Sequence, residues 1–318
     1  MEQRAVGTAP FTVSAMGLGC NNFGRMGTAS QTQEGTDAVI AAALDAGVTF
    51  FDTADLYGGQ WGLSETLMGH AWKGRRDEAV LATKFGFTEV ATPLDQLGAK
   101  GSRAYLRAAC EASLERLQTD RIDLFQQHQP DPSTPLEETL GALAELVDEG
   151  KILAYGVSQF TAEQLRSADA VVTGLGAPGV ASSQDELSLV ARGVETDGRL
   201  AAAEEIGAGF LPFFPLANGL FTGKFSRTEI PADSRIGRQR PHIAQNADWD
   251  AMEAYQALCE EWGVTMLEAT LGWFLTRPVV SSVIAGATRP EQVTQNAASA
   301  QWRPSPEQAA QIDALFPA

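Results

Sequence analysis

The chain predicts an α/β fold, a closed (β/α)8 TIM barrel, from three features of its sequence. Eight short apolar runs recur along its 318 residues, amphipathic helical patterns separate them, and polar residues gather where several of the runs end. Eight is the number of parallel strands that closes such a barrel, and all the strand C-termini then open onto one face.

The opening MEQRAVG-TAP-FTVSA reads as a small β-hairpin capping the barrel bottom. The barrel strands are expected at 13–18, 49–52, 79–84 and 123–128, then at 154–157, 180–184, 209–213 and 281–286. A helix is expected from Thr36 to Ala46, where Val39, Ala43 and Leu44 keep helical spacing. Others are expected from Arg103 to Leu117 and from Pro135 to Glu149. The last has Leu136, Leu140, Leu143 and Val147 on one face, Pro135 in its first turn and Gly150 at its end. Helices close the C-terminus. Residues 217–250 break the rhythm with glycine, proline and five cations between Lys224 and Arg240, and read as a long loop after strand seven. With no linker, low-complexity tract or internal repeat, residues 1–318 read as one barrel domain, a length a single barrel accommodates.

Composition narrows the function. No apolar run approaches the roughly 20 residues a membrane helix needs, and the N-terminus lacks the apolar core of a signal peptide. Cys20, Cys110 and Cys259 are odd in number and scattered, which predicts a cytoplasmic protein without disulfides. Histidine and cysteine are too sparse for a metal centre, so none is expected. A formal charge of −17 opposes binding to nucleic acid or an anionic membrane, leaving a small molecule as the expected partner. Oligomeric state has no legible signal. An anionic cofactor would have to be held by a few local cations and backbone N–H groups.

Strand two ends in Asp52 and leads into Tyr57, strand three ends in Lys84, and strand four ends in His128. Singly, each has an ordinary structural role. Together, at successive strand ends, they make chemical sense. A phenol with an ordinary pKa near 10 is a weak acid, and an ammonium at Lys84 would stabilise its phenolate. Asp52 would pair with Lys84 and offset its burial. His128 could donate a hydrogen bond to a carbonyl oxygen, which makes a site suited to carbonyl reduction. The hydride must come from a cofactor, because no side chain supplies one.

FDTADLYG at 51–58, followed by GLSETLMG at 62–69, resembles the signature of the aldo-keto reductase family. LATKFG at 81–86 resembles its lysine strand, and residues 122–160 are similar to its histidine strand, the following helix and the fifth strand. The resemblance runs from SAMGLGCNNFG at 14–24 to the C-terminal helices. It implies reduction of aldehydes or ketones by NADPH, with Asp52, Tyr57, Lys84 and His128 as the catalytic tetrad and Tyr57 as proton donor.

The resemblance also implies a cofactor site. Ser158, Gln159 and Gln184 match the carboxamide-holding positions, with Gln159 where the family usually has asparagine. Phe213 stands where a tyrosine commonly stacks on the nicotinamide. Phe214, Pro215, Leu216, Ala217, Gly219, Leu220 and Lys224 would follow the pyrophosphate, with Arg235 further along the same stretch. In IAGATRPEQVTQN at 284–296, Gly286, Ala287 and Thr288 would offer anion-binding donors at a helix start. Arg289 would meet the 2′-phosphate, and Gln292 and Asn296 match contact positions. Gln295 stands where many members have an acid. Gly19 and Asn22, in the tight loop at the barrel mouth, would let backbone approach the nicotinamide, and Asp52 counts among the cofactor contacts too. Phe23, Trp61 and Phe87, with Tyr57 and His128, are the expected substrate contacts.

Three other readings use the same residues. GLGCNNFG at 17–24 follows a strand as a dinucleotide-binding Gly-x-Gly would, but Asn22 stands where the third glycine should fall. The resemblance extends to non-catalytic NADP-binding regulatory subunits. A barrel lyase or aldolase would use Lys84 as a Schiff base, which needs a depressed pKa that Asp52 opposes.

Overall fold

A computed structural model describes residues 1–232 and 234–318. The hairpin forms from β1 (Gln3–Ala5) and β2 (Thr12–Ser14), paired antiparallel with Gln3 opposite Ser14. Eight strands then close a parallel barrel: β3 (Met16–Gly19), β4 (Phe50–Asp52), β5 (Val80–Phe85), β6 (Ile122–Gln127), β7 (Ile152–Ser158), β8 (Ser182–Glu186), β9 (Gly209–Phe213) and β10 (Val283–Gly286). They neighbour one another in sequence order, and β10 returns to pair with β3, Gly286 opposite Gly19.

The expected first strand at 13–18 is divided. Val13 and Ser14 belong to the hairpin, and the barrel strand starts at Met16. Ser14 causes the break: its hydroxyl donates to Met16 O at 2.7 Å and accepts from Thr49 N at 2.9 Å, so a side chain takes over backbone bonding where the chain turns inward. The hairpin reaches the barrel closely enough that a Cβ on Gly7 would lie 2.4 Å from Ala181 O. Val6 and Val13 pack with Phe50, Ala82, Leu124, Ala154, Leu211 and Ile284 in one buried cluster that fills the barrel's lower interior.

Side chains alternate along a strand, so residues two and four places beyond these apolar plugs point the same way. Asp52 follows Phe50, Lys84 follows Ala82, and Gln126 and His128 follow Leu124. Ser158 follows Ala154, Phe213 follows Leu211, and Gly286 follows Ile284. The intervening residues, among them Phe51, Leu81, Phe85, Phe125, Tyr155 and Phe210, pack outward in a second core. Inside the barrel Gly156 is required, since a Cβ there would lie 1.9 Å from Ser182 Oγ.

The helix Arg103–Leu117 has the expected bounds, with Ser102 as its cap. Leu136–Asp148 is preceded by Pro135 and followed by Gly150 at φ +72°. The first helix, Gln33–Asp45, begins a turn earlier than its apolar period, because Thr32 caps it by accepting from Gly35 N at 3.2 Å. C-terminal helices run Trp249–Glu261, Met266–Leu275, Pro290–Ser299 and Pro306–Leu315.

Residues 217–250 are more ordered in the chain than a long loop. They contain a 3-10 segment, Ala217–Thr222, and two five-residue helices, Arg235–Gln239 and Pro241–Gln245. Ser234 caps the first by accepting from Gly237 N, and Pro241 opens the second. Residue 233 lies outside the described residues. No helix among the described residues is long and apolar enough to cross a membrane.

Candidate active site

The strand ends enclose a cavity of about 690 Å³ at the C-terminal mouth of the barrel, lined by Asp52, Tyr57 and His128. A shallow hollow on the outer face of helix Arg103–Leu117 lies far from these strand ends and gathers no comparable chemistry.

Lys84 is fully buried. Its Nζ donates to Asp52 Oδ2 at 2.6 Å and to Thr53 O at 2.8 Å. The other oxygen of Asp52 accepts from Gln184 Nε2 at 3.0 Å and Gln126 Nε2 at 3.3 Å. The pair is thus hydrogen-bonded on all sides, the condition under which a buried ion pair is tolerated. Burial opposes the Lys84 ammonium, but Asp52 and Tyr57 outweigh it and hold its pKa above the usual lysine range.

Tyr57 is half-buried, its accessible part facing the cavity it lines. A turn seats it: Tyr57 N donates to Ala54 O at 3.2 Å, and Ser64 N donates to Tyr57 O at 3.1 Å. Lys84 Nζ lies 5.2 Å from its ring centre. The expected acidifying pull of Lys84 is present but is outweighed: burial raises the phenol above its ordinary pKa, Lys84 lowers it, and Asp52 raises it again. Tyr57 is therefore protonated at neutral pH. The His128 ring stands edge-on to Tyr57 at 5.8 Å and to Phe87 at 5.0 Å. Burial first, then the Lys84 charge, pushes its pKa well below the usual range, so the imidazole is neutral and can donate one N–H.

Around the rest of the wall stand Gly19, Asn22, Ser158, Gln159, Gln184 and Phe213. Phe214, Pro215, Leu216, Gly219, Lys224 and Arg235 also line it. Gly286, Ala287, Thr288, Arg289, Gln292 and Asn296 complete it. Two of the expected cofactor residues do not line the cavity: Leu220 and Ala217 turn their side chains into the core. Thr288 N and Oγ1 both donate to Gln292 Oε1, so these donors are engaged within the chain.

Among the expected substrate contacts, Phe87 lines the cavity and Phe23 and Trp61 do not. Phe23 is fully buried in the outer core, where its carbonyl lies close to Gly58. Trp61 is covered by the Arg116 guanidinium, 4.1 Å above its ring. Both sit in the right loops but face the helices instead of the mouth.

Several contributors went unread in the sequence. Gln126 holds Asp52, and its place two residues before His128 on an inward face was the available signal. Arg25, Asn218 and Arg238 also line the cavity. Among the described residues, five non-glycine residues have positive φ, and of these Gln159, Phe214, Ala217 and Asn218 lie at or beside the cavity. Such backbone is held only where the surroundings over-determine it, commonly at functional sites.

The charge distribution is uneven. Among the described residues, seven of the 23 lysines and arginines make no ion pair with a carboxylate: Arg25, Lys73, Lys224, Arg235, Arg238, Arg240 and Arg289. Five of them line the cavity, and Arg240 lies over the Phe214 ring beside Arg235. Burial, then Arg25 and Arg240, lowers Arg235 to about 10. Ser158 Oγ, Asn218 Oδ1 and Arg235 Nε are buried without hydrogen-bond partners among the described residues. Crowded cations and unmet polar atoms lining one cavity fit an anionic, hydrogen-bonding ligand such as a dinucleotide.

Comparison with known proteins agrees with this architecture. The aldo/keto reductase family profile matches residues 15–316. A Glycine max protein named probable aldo-keto reductase 1 is 34% identical over 295 residues, covering 92% of this chain and 82% of its own. An L-glyceraldehyde 3-phosphate reductase of Escherichia coli O157:H7 is 32% identical over 326 residues, covering 98% of this chain and 92% of its own. The protein of the same name in strain K12 is 32% identical over 308 residues, covering 93% and 86%. With a match that runs nearly end to end and a barrel of the same design, this chain belongs to the aldo/keto reductase family and is an oxidoreductase.

Proposed function

We propose that the chain reduces aldehydes or ketones to alcohols with NADPH, and that Tyr57 gives the proton. The observation that carries this reading is the convergence of a protonated phenol and a neutral imidazole on one cavity, with the Lys84–Asp52 pair beside the phenol. Bound NADPH would supply the hydride that the carbonyl carbon receives. His128 orients the substrate oxygen through a ring N–H, and Tyr57 transfers its proton to that oxygen. The Lys84 ammonium then faces the phenolate left behind, and Asp52 keeps the ammonium charged. Phe87 offers an apolar flank at the mouth. The same charge on Lys84 opposes the neutral amine that a Schiff-base lyase needs.

Ser158, Gln159 and Gln184 would hold the carboxamide, Phe213 would stack on the ring, and Lys224 and Arg235 would meet the pyrophosphate. Arg289, exposed and without an ion pair among the described residues, would take the 2′-phosphate. Small phosphorylated aldehydes belong among the substrates tested, given the relatives named for L-glyceraldehyde 3-phosphate. Three buried free cysteines suit a reducing compartment such as the cytoplasm.

Fluorescence titration with NADPH and NADH, followed by loss of reduced-nicotinamide absorbance with a panel of carbonyl compounds, tests the reading. NADPH is expected to bind roughly ten- to a hundredfold tighter than NADH, and Arg289→Ala to remove most of that gap, the scale of one or two hydrogen bonds to a charged group. Absence of binding to either dinucleotide would overturn the assignment.

A further inference from the structure

A second cluster of titratable groups adjoins the tetrad and takes no part in the chemistry above. At its centre is Asp55, which is 1% exposed. Neither carboxyl oxygen has a hydrogen-bond partner among the described residues. Its backbone is stitched into the site from both sides. Asp55 N donates to Lys84 O at 3.1 Å, and its own carbonyl accepts from Gly62 N at 2.5 Å. Residues 54–57 then turn directly to Tyr57.

The charged and titratable groups facing Asp55 come from every neighbouring element. They are Glu65 in helix Leu63–Ala71, Arg116 and Tyr105 in helix Arg103–Leu117, Lys100 before that helix, and Tyr57 in the same loop. The two cations are already committed. Arg116 Nε donates to Glu65 Oε2 at 2.7 Å, its Nη2 donates to Ser113 Oγ, and its plane stacks on Trp61. Lys100 donates to Phe87 O and Val90 O and pairs with Asp95. Trp61 Nε1 lies close enough to favour an Asp55 carboxylate but outside hydrogen-bonding geometry, and has no partner itself among the described residues. Two buried carboxyls thus share one guanidinium, and Glu65 has it. An ionised Asp55 would be a buried charge without a donor, a far costlier state than a neutral acid. Burial, then Glu65, pushes Asp55 up to about 7.

We propose that Asp55 is a positioning residue for Tyr57: as a neutral acid it lets the 54–62 loop seat the phenol, and as a carboxylate it unsettles that loop and weakens Tyr57 as an acid. The effect on turnover rests on the reductase reading, while the ionisation of Asp55 does not.

The test compares the full-length protein with Asp55→Asn, whose amide imitates the neutral acid, and Asp55→Ala. In pH-difference infrared spectra, wild type is expected to lose a protonated-carboxyl band with a midpoint near 7, and the Asp55→Asn variant to lack that band. Thermal unfolding gives an independent sign. The folded pKa lies above the unfolded value of about 3.9, so the folded state holds the proton more tightly. That contribution to stability is complete below about pH 4 and is lost as pH rises through about 7. Wild type should therefore lose melting temperature relative to Asp55→Asn across this window. Wild-type kcat should fall roughly tenfold over the alkaline side of the same transition, one pKa unit's worth of lost acidity. Neither variant has a carboxyl to ionise at this position, so both should flatten that limb, Asp55→Asn at the acid-side level of wild type and Asp55→Ala below it. Identical infrared difference spectra for wild type and Asp55→Asn, or an unchanged kcat–pH profile in Asp55→Asn, would overturn the proposal. If no carbonyl compound is reduced at all, the reductase reading fails, and the infrared and unfolding data still decide the state of Asp55.

Discussion

Phenylalanine at position 57 is expected to lower kcat by about 10²- to 10⁴-fold, the contribution typical of one positioned acid, while NADPH affinity stays within about twofold of wild type. The substitution deletes the hydroxyl and keeps the ring that stands edge-on to His128 and beside Lys84 Nζ. The cavity keeps its shape, so the loss falls on the transition state and kcat and kcat/KM drop together. His128 cannot take over proton delivery. Its imidazole is held neutral by burial and by Lys84, and a neutral imidazole is a far weaker acid than a phenol. Steady-state rates with a reducible aldehyde, alongside the fluorescence titration, check this. Wild-type turnover in Tyr57→Phe would remove Tyr57 as the donor.

Methionine at position 84 is expected to cost about 3–5 kcal/mol of stability, the usual penalty for removing one partner of a buried pair. The remaining carboxylate of Asp52 would keep its two glutamine donors on Oδ1 and lose the 2.6 Å contact on Oδ2. The double variant Asp52→Asn/Lys84→Met removes the stranded charge, while the new amide oxygen can still accept from Gln126 and Gln184. It should therefore recover a large part of the loss, an interaction visible in a urea-denaturation double-mutant cycle. Both variants should be inactive as reductases, because Tyr57 loses the charge that stabilises its phenolate, and burial, joined in the single variant by Asp52, then raises its pKa unopposed. Equal stability of wild type and Lys84→Met would show that the pair contributes nothing net to the fold.

What could be read in the sequence followed from period and position. Strand ends at Asp52, Lys84 and His128 were legible because each follows an inward apolar residue by two or four places, and the register of a barrel turns that spacing into convergence. The boundary between hairpin and first barrel strand was not legible, since Ser14 replaces backbone bonds with a side chain without interrupting the apolar run. The helices at 235–239 and 241–245 were missed because one turn and a half is too short to show a hydrophobic face. Trp61 and Phe23 were placed at the mouth because aromatic residues in a βα loop carry no mark of direction. One packs beneath Arg116 and the other within the outer core. Asp55 was hidden in the FDTADLYG motif, where its neighbours Asp52 and Tyr57 were the residues expected to carry the chemistry.

The cations at the mouth that make no ion pair among the described residues belong to a molecule whose net charge is −17. In dilute salt, where the Debye length is about 30 Å, a dinucleotide approaching as proposed would feel the whole surface and be repelled. Near physiological ionic strength that length shrinks to about 8 Å, and the anion responds to Arg25, Arg235 and Arg238 before it responds to distant carboxylates. Added salt thus speeds the encounter first and slows it only at higher concentration, the reverse of the steady decline expected of a uniformly basic protein.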